Sequence, residues 1–436
     1  FDAIWISPIT AQIESETKWG VAWHGYWQEN IYALNSHFGT ANDLRAFIKA
    51  AHDLDIWVML DVVANHMGPN INDTAQYIPF NQDIHYHQPL CYITDYSNQT
   101  QVELCTVGDP DVPLPDLNTE HPFVVNALNQ WIENITQEYS FDAIRIDTFR
   151  HIRKEFWTNF TAASRVYSVG EVATSETDYV GSYQNYTDGM LQFPLFFVLN
   201  QVFRDQGRQS IRELKKQVEL NEQYFKDTTL CGVFLDNHDQ QRFLNHTITE
   251  TLIRNALTFL MFNDGIPIVY YGTEQGFEGN PEDTYGYTDP WNREPLWTSN
   301  YSQSHPIYQF IKQLNSLRAV LKAKYPGYFT THQQTVYLDD STYIYYKNPV
   351  TIVISNGEFD TPKRVNITVN MINSIDFFTN KKITDQQLIV NSWAPMIIIP
   401  ENMINSAKSL SCTTVLFLLF VVLVHAENQT QDYKTG

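Results

Sequence analysis

Positive charge is scarce in this chain. Lys and Arg total 28 against 49 Asp and Glu, a net charge of −21 at pH 7, and no basic run of five or more occurs. Such a surface repels polyanions, which excludes nucleic acid and anionic membrane surfaces as expected partners. Long apolar runs are also missing. Val415 to Val424 is an unbroken apolar run of ten, well short of the ~20 residues a membrane span needs, so no stable span is expected. No internal repeat or low-complexity segment is evident. Cysteine is rare, at four residues. Cys91 and Cys105 fall in a polar, loop-like stretch, and Cys231 lies in an apolar run, where a free thiol acts as a small hydrophobe. What is present is the make-up of a globular protein of 436 residues: 43% hydrophobic, 18% charged and 14% aromatic. The aromatics suit sugar stacking, but they also fill cores.

Three acidic residues stand at the ends of three short apolar runs. They are Asp147 in FDAIRIDTFRH, Glu171 in VYSVGEV and Asp239 in VFLDNHD. Each run reads as a buried strand, and a carboxylate at its end is placed at the mouth of a sheet. In parallel α/β barrels that mouth is where chemistry is done. Three such carboxylates suggest acid/base and nucleophilic work on a glycosidic bond.

Runs at Ala143–Ile146, Tyr167–Gly170, Met190–Phe193, Gly232–Leu235 and Pro267–Tyr271 read as strands, with FDAIWISPI and Ile56 to Val63 before them. Helical spacing lies between most of them, as in Leu44, Phe47, Ile48, Ala51 and Leu54 behind a Thr40 N-cap. Strand alternating with helix predicts a parallel sheet. Seven core strands are counted, one short of a closed eight-stranded barrel. Residues 67–121 are rich in Asn, Asp, Pro and Tyr without long periodicity and read as an insertion. Residues 324–402 carry short β-type runs and read as a C-terminal all-β sandwich domain. The expected organisation is a catalytic barrel over 1–66 and 122–323, an inserted domain over 67–121, and the sandwich. Met403, Lys408, the ten apolar residues and Val424-His425-Ala426 together read as a signal-peptide-like segment over 403–426, with a polar tail at 427–436. Nine Asn-X-Ser/Thr sequons, with two cysteines in one loop-like stretch that could pair, favour a secreted glycoprotein.

The segments DVVANH (61–66), AIRIDTFRH (143–151), GEV (170–172) and LDNHD (235–239) occur in order at characteristic spacing. They resemble the four signature regions of the α-amylase family, glycoside hydrolase family 13. HGYWQENIY, LPDLN and NDGIPIVYYG also match, most closely the secreted fungal-type members. The resemblance covers about residues 1–400 and implies a TIM (β/α)8 barrel with an inserted domain B and a C-terminal β-sandwich.

It also implies roles. Asp147 resembles the nucleophile, with Arg145 holding it ionised, though a structural Asp–Arg pair would look alike. Glu171 resembles the general acid/base, which needs a raised pKa. Asp239 resembles the third, substrate-distorting carboxylate. His66 and His238 resemble imidazoles that contact the sugar. Tyr26 resembles a stacking platform or is a core aromatic. Asp289 and Arg293 resemble outer sugar contacts, and Arg150 and His151 a basic pair on the acceptor side. Asp61 is expected to support Arg145 or His66. The implied reaction is a retaining double displacement on α-1,4-glucan, with carboxyls about 5–5.5 Å apart. Asn65, Glu103, Asp116 and the carbonyl of His151 resemble ligands of a structural Ca²⁺, all hard oxygens, unless Glu103 and Asp116 are solvated loop acids. Cys91–Cys105 matches a family disulfide.

The chain departs from the family pattern at Ala173-Thr174-Ser175, where relatives carry a bulkier residue, an Asp and a Gly. The first barrel strand and helix, which precede FDAIWISP in the family, are not in front of it, and the terminal segment resembles a precursor start. A permuted or misjoined coding sequence is the expected cause, with the junction of two tandem copies as the alternative. The implied activity is endo-acting hydrolysis of starch- or glycogen-type glucan by a monomer. The alternatives are a 4-α-glucanotransferase on the same scaffold, a non-catalytic glucan-binding protein, and an incomplete fragment.

Overall fold

A computed structural model describes residues 1–69, 74–204, 209–245, 249–279, 291–357, 362–391 and 394–412. The described residues fall into two compact units. One comprises Phe1–Val172 and Tyr183–Asp188, the other Ala173–Ser182 and the chain from Gly189 on.

The first unit is built on four parallel strands in the order Ala3–Ile6, Trp57–Val62, Ala143–Ile146, Tyr167–Gly170. The two later strands have the bounds read from the sequence. Ala143–Ile146 is buried at every position, as a parallel strand covered on both faces must be. Helices supply the crossovers. Ala41–His52 begins with a capping box, in which Thr40 and Asp43 satisfy each other's backbone N–H. Pro122–Tyr139 buries Val124, Leu128, Trp131, Ile132 and Ile135, which lie at helical spacing on one face. The described residues of 67–121 form short turns around the helix Gln99–Leu104, and a disulfide joins Cys91 to Cys105.

In the second unit Gly232–Phe234 and Ile266–Ile268 form a parallel pair. Met190–Phe193 was expected as a strand. Only Gly189–Met190 is extended, and Phe193 begins a helix that runs to Phe203. FPLFFVLNQVF is apolar on nearly every face, so periodicity could not separate buried strand from buried helix. Pro194 in its first turn suits a helix start.

The C-terminal region is an antiparallel six-stranded sheet in the order Gln334–Leu338, Thr342–Lys347, Val350–Ser355, Met396–Pro400, Ser374–Asp376, Lys382–Ile383. A second hairpin pairs Lys363–Asn366 with Gln387–Val390. Val365, Leu388 and Val390 from that hairpin pack with Ile344, Val353 and Ile398 from the sheet. A helix, Glu401–Cys412, follows the last strand. Met403, Ile404 and Ala407, expected to open the signal-like segment, are buried there in the core of this unit. Residues 413–436 lie outside the described residues.

One buried ion pair ties the sheet to the helical part of its unit. Lys347 Nζ lies 2.8 Å from Asp264 Oδ1, and both side chains are almost fully buried. Burial pushes the Lys347 pKa down, against the pull of Asp264. Removing one partner of such a pair strands the other charge, at a cost of about 3–5 kcal/mol. Lys347→Met is therefore expected to lower stability by roughly that amount, read as a drop in the thermal midpoint. An unchanged midpoint would contradict the ion pair.

Candidate active site

Arg145 occupies the middle of an apolar strand, and its side chain is 1% exposed. Burying a guanidinium costs several kcal/mol unless opposite charge surrounds it. Three carboxylates do so. Nη1 lies 2.8 Å from Asp61 Oδ1 and 2.9 Å from Asp147 Oδ1, and Nη2 lies 2.8 Å from Glu171 Oε2. The arrangement follows from the sheet. Asp61 is register partner to Arg145 on the neighbouring strand. Asp147 follows two residues later, on the same strand face, and Asp147 N–H donates to Val62 O at 3.0 Å. Glu171 directly follows the next strand, with its N–H on Ile146 O at 3.0 Å.

The backbone turns sharply where this strand ends. Thr148 adopts a left-handed φ of 48°, a conformation L-residues rarely take outside tight functional turns. There its N–H donates to Glu171 Oε2 at 3.2 Å.

Asp61 is the best-supported member of the cluster. Its Oδ2 accepts from Tyr26 Oη at 2.8 Å and from Trp5 Nε1 at 3.1 Å. The Trp5 ring also lies 5.3 Å from the Arg145 guanidinium carbon. Burial pushes the Asp61 pKa up to about 6, opposed chiefly by Arg145. The Arg145 pKa itself stays well above the ordinary range despite desolvation, because of the surrounding carboxylates. One cation facing three carboxyl groups favours retention of a proton within the cluster.

Two predicted site residues of this unit, His66 and His151, are kept neutral by burial. His66 Nε2 pairs with Tyr26 O at 3.1 Å, and burial lowers its pKa. His151 Nδ1 pairs with Val102 O at 3.1 Å, and burial with Arg150 beside it pushes the pKa down to about 3. Arg150 itself stacks over Tyr96, 4.6 Å from the ring centroid. Tyr96 is 53% exposed, so this pair offers an accessible aromatic and cationic edge, whereas His151 is buried.

The expected calcium ligands come together in two pairs. The backbone bridge between His66 and Asp116, with Leu117 N–H on Asn65 O at 2.8 Å, brings Asn65 beside Asp116. The helix Gln99–Leu104 packs on the turn Phe149–His151, where Gln99 Nε2 donates to Glu103 Oε1 at 2.6 Å and to Arg150 O at 3.4 Å. Among the described residues, Asn65 Oδ1 and Asp116 Oδ1 are buried without a hydrogen-bond partner. Asp116 Oδ2 meets His87 at 2.6 Å. Orphaned hard oxygens at buried positions fit a Ca²⁺ ion and do not fit a soft metal. A different group, Glu222, Asp264 and His332, brings three potential ligand atoms within 4.8 Å of one another. There the Lys347 ammonium already supplies the positive charge to Asp264, which disfavours a cation.

In the second unit Asp239 is flanked by two further predicted residues. His238 Nε2 lies 3.1 Å from Asp239 Oδ2, and Arg293 Nη2 lies 3.3 Å from Asp239 Oδ1. Asp289 lies outside the described residues. Cys231 is a buried free cysteine, and burial pushes its thiol pKa up to about 12, which makes it inert.

Residues 1–306 match the family described as "Alpha amylase, catalytic domain". The chain belongs to the α-amylase family. It is 40% identical over 352 residues to Alpha-amylase 1 of Lipomyces kononenkoae, covering 80% of this chain and 53% of that protein. It is 34% identical over 411 residues to an α-amylase of Saccharomycopsis fibuligera, covering 92% and 81%. The chain thus spans about half the length of one such relative and four fifths of the other. Its structure superposes on that of an α-amylase from Malbranchea cinnamomea with a TM-score of 0.86 at 36% identity, covering 92% of this chain and 86% of that one. Family and structural likeness give the chain the α-amylase fold, with a TIM-barrel catalytic domain.

Trp5 is a member of the cluster that no local sequence pattern marks. Trp5 stands in the matched FDAIWISP segment, and its apolar type disguised a donor to Asp61.

The raised pKa of Asp61 has a consequence for stability. A carboxyl whose folded pKa exceeds its unfolded value contributes stability below the unfolded pKa of about 3.9, and that contribution fades as pH rises through about 6. Asp61→Asn lacks this dependence. The variant is expected to gain stability relative to the parent between pH 4 and pH 7, measured by urea unfolding at both values. A gap that is the same at both would contradict the buried, reluctantly ionised Asp61.

Proposed function

We propose that this chain is an endo-acting α-amylase that hydrolyses α-1,4-glucosidic bonds of starch- or glycogen-type glucans by a retaining double displacement. One observation carries the reading: Asp147 and Glu171 on neighbouring strands, held by the two Nη nitrogens of one buried guanidinium. Asp147 attacks the anomeric carbon as Glu171 gives its proton to the departing oxygen. Glu171, now ionised, takes a proton from water, which releases the sugar from Asp147. Arg145 pairs with Asp147 and fixes its carboxylate beside the reacting carbon. Thr148 N–H helps orient the Glu171 carboxyl. Asp239, with His238 and Arg293 around it, supplies the third carboxylate. Tyr26, His66, Arg150 and Asp289 are further sugar contacts in this reading. Named α-amylases among the relatives support the substrate class. The Ala173-Thr174-Ser175 departure bears on the acceptor side and leaves the chemistry intact.

Asn65, Asp116, Glu103 and the His151 carbonyl would hold a structural Ca²⁺, which pins residues 67–121 onto the sheet. We further propose a secreted, glycosylated monomer. No helix of the described residues is long and apolar enough to cross a membrane.

Asp147→Asn is expected to lower kcat on maltoheptaose by at least ~10³-fold, as loss of a nucleophile does, while glucan binding persists. Turnover near the parent rate would refute the assignment. With the parent enzyme, maltoheptaose is expected to yield shorter products with a matching gain in reducing ends. Longer products without that gain would mark a transferase. Calcium added to chelator-treated protein is expected to raise the thermal midpoint, by about 2.7 kcal/mol of stability at a hundredfold excess over Kd. Asp116→Asn should abolish most of that rise, and an equal rise in the variant would exclude this site.

A further inference from the structure

Asp239 sits on a segment with little regular structure, between the strand Gly232–Phe234 and the short turn Phe243–Asn245. A second segment, Asn292–Glu294, supports it. Asn292 is fully buried, and its Nδ2 donates to His238 O at 2.6 Å, Gln240 O at 2.9 Å and Asn237 O at 3.4 Å. Arg293 Nε donates to His238 O at 3.1 Å, while its Nη2 reaches Asp239. Glu294 turns inward. Its Oε1 accepts from Gly279 N–H at 2.6 Å, and its Oε2 meets Arg242 Nε at 3.0 Å.

Arg242 closes the arrangement. It follows Asp239 by three residues, and its side chain is 0% exposed. Nη1 donates to Tyr271 O. Its guanidinium carbon lies 4.2 Å from the Tyr270 ring centroid, 5.1 Å from Tyr271 and 5.6 Å from Phe277. Among the described residues Nη2 has no hydrogen-bond acceptor, and the ring faces stand in for one. One planar fork thus joins the Asp239 segment, the Asn292–Glu294 segment and the Tyr270–Tyr271 backbone. An ammonium cannot reproduce that geometry.

We propose that Arg242 is a positioning residue for Asp239. It holds Glu294, and through Glu294 it sets the Asn292 and Arg293 contacts that orient His238 and Asp239. The proposal rests on the reading of Asp239 as the third carboxylate of the site. A displacement near 1 Å at a group that acts in the transition state costs ~10²-fold in rate.

A double-mutant cycle on the full chain tests it, with kcat and KM for maltoheptaose measured for the parent, Arg242→Lys, Asp239→Asn and the pair. Arg242→Lys is expected to lower kcat by about 10- to 100-fold and to change KM far less. In the Asp239→Asn background the same substitution is expected to cost almost nothing, since there is no longer a carboxylate to misplace. An equal cost in both backgrounds would overturn the proposal and leave Arg242 a general stabiliser. So would an unchanged kcat in Arg242→Lys. Full kcat in Asp239→Asn would overturn the reading of Asp239 and the proposal with it. If Arg242→Lys does not fold, the cycle is run with Glu294→Gln, which keeps the shape and removes the charge pair, and the same outcomes decide.

Discussion

A single buried guanidinium constrains the first unit. Arg145 stands in a strand whose other residues are Ala and Ile, fully covered by the surrounding sheet and helices. Its charge would be untenable there without the carboxylates of Asp61, Asp147 and Glu171. The converse also holds. Three carboxyl groups so close would repel one another without the guanidinium between them. Sheet register, strand ends and charge balance are therefore one constraint. Slipping any of these strands by one residue would turn its acidic group away from Arg145. Trp5 and Tyr26 complete the arrangement by donating to the oxygen of Asp61 that Arg145 leaves unmet. Asp61 is thus a counter-charge that keeps Arg145 in place, which leaves Asp147 and Glu171 for chemistry.

The second unit solves a similar problem differently. Asp239 lies beyond a strand end on irregular backbone, so a sheet cannot orient it. Asn292 satisfies the loose carbonyls of its segment, and the Arg242–Glu294 pair anchors Asn292 and Arg293 in turn. In both units a buried Arg is the fixed point from which a carboxylate is aimed. In one the aim passes directly, and in the other through a chain of neighbours.

How much of this could be read from residues alone depends on the range of the interaction. The strands Ala143–Ile146 and Tyr167–Gly170 and the Thr40 cap are local patterns, and they stand where the pattern put them. Asp147, Glu171 and Arg145 were legible because strand geometry brings i and i+2 to one face and neighbouring strand ends together. The helix beginning at Phe193 was not legible, because a segment apolar on all sides carries no period. Nor was the packing of Met403 and Ala407, whose partners lie far off in the chain. Arg242 and Glu294 are 52 residues apart, and no local pattern pairs them. Trp5 looked like core because its ring is core, and only its indole N–H takes part in the site.

In the proposed reaction Asp147, poised by Arg145, forms a covalent bond to the sugar. The most direct measurement is to trap that intermediate with a fluorinated maltosyl fluoride, which slows its hydrolysis, and to locate the adduct by peptide mass spectrometry. One glycosyl group per chain is expected, carried on Asp147 in the peptide that contains residues 143–151. An adduct on any other residue, or full turnover with no adduct, would contradict that reaction.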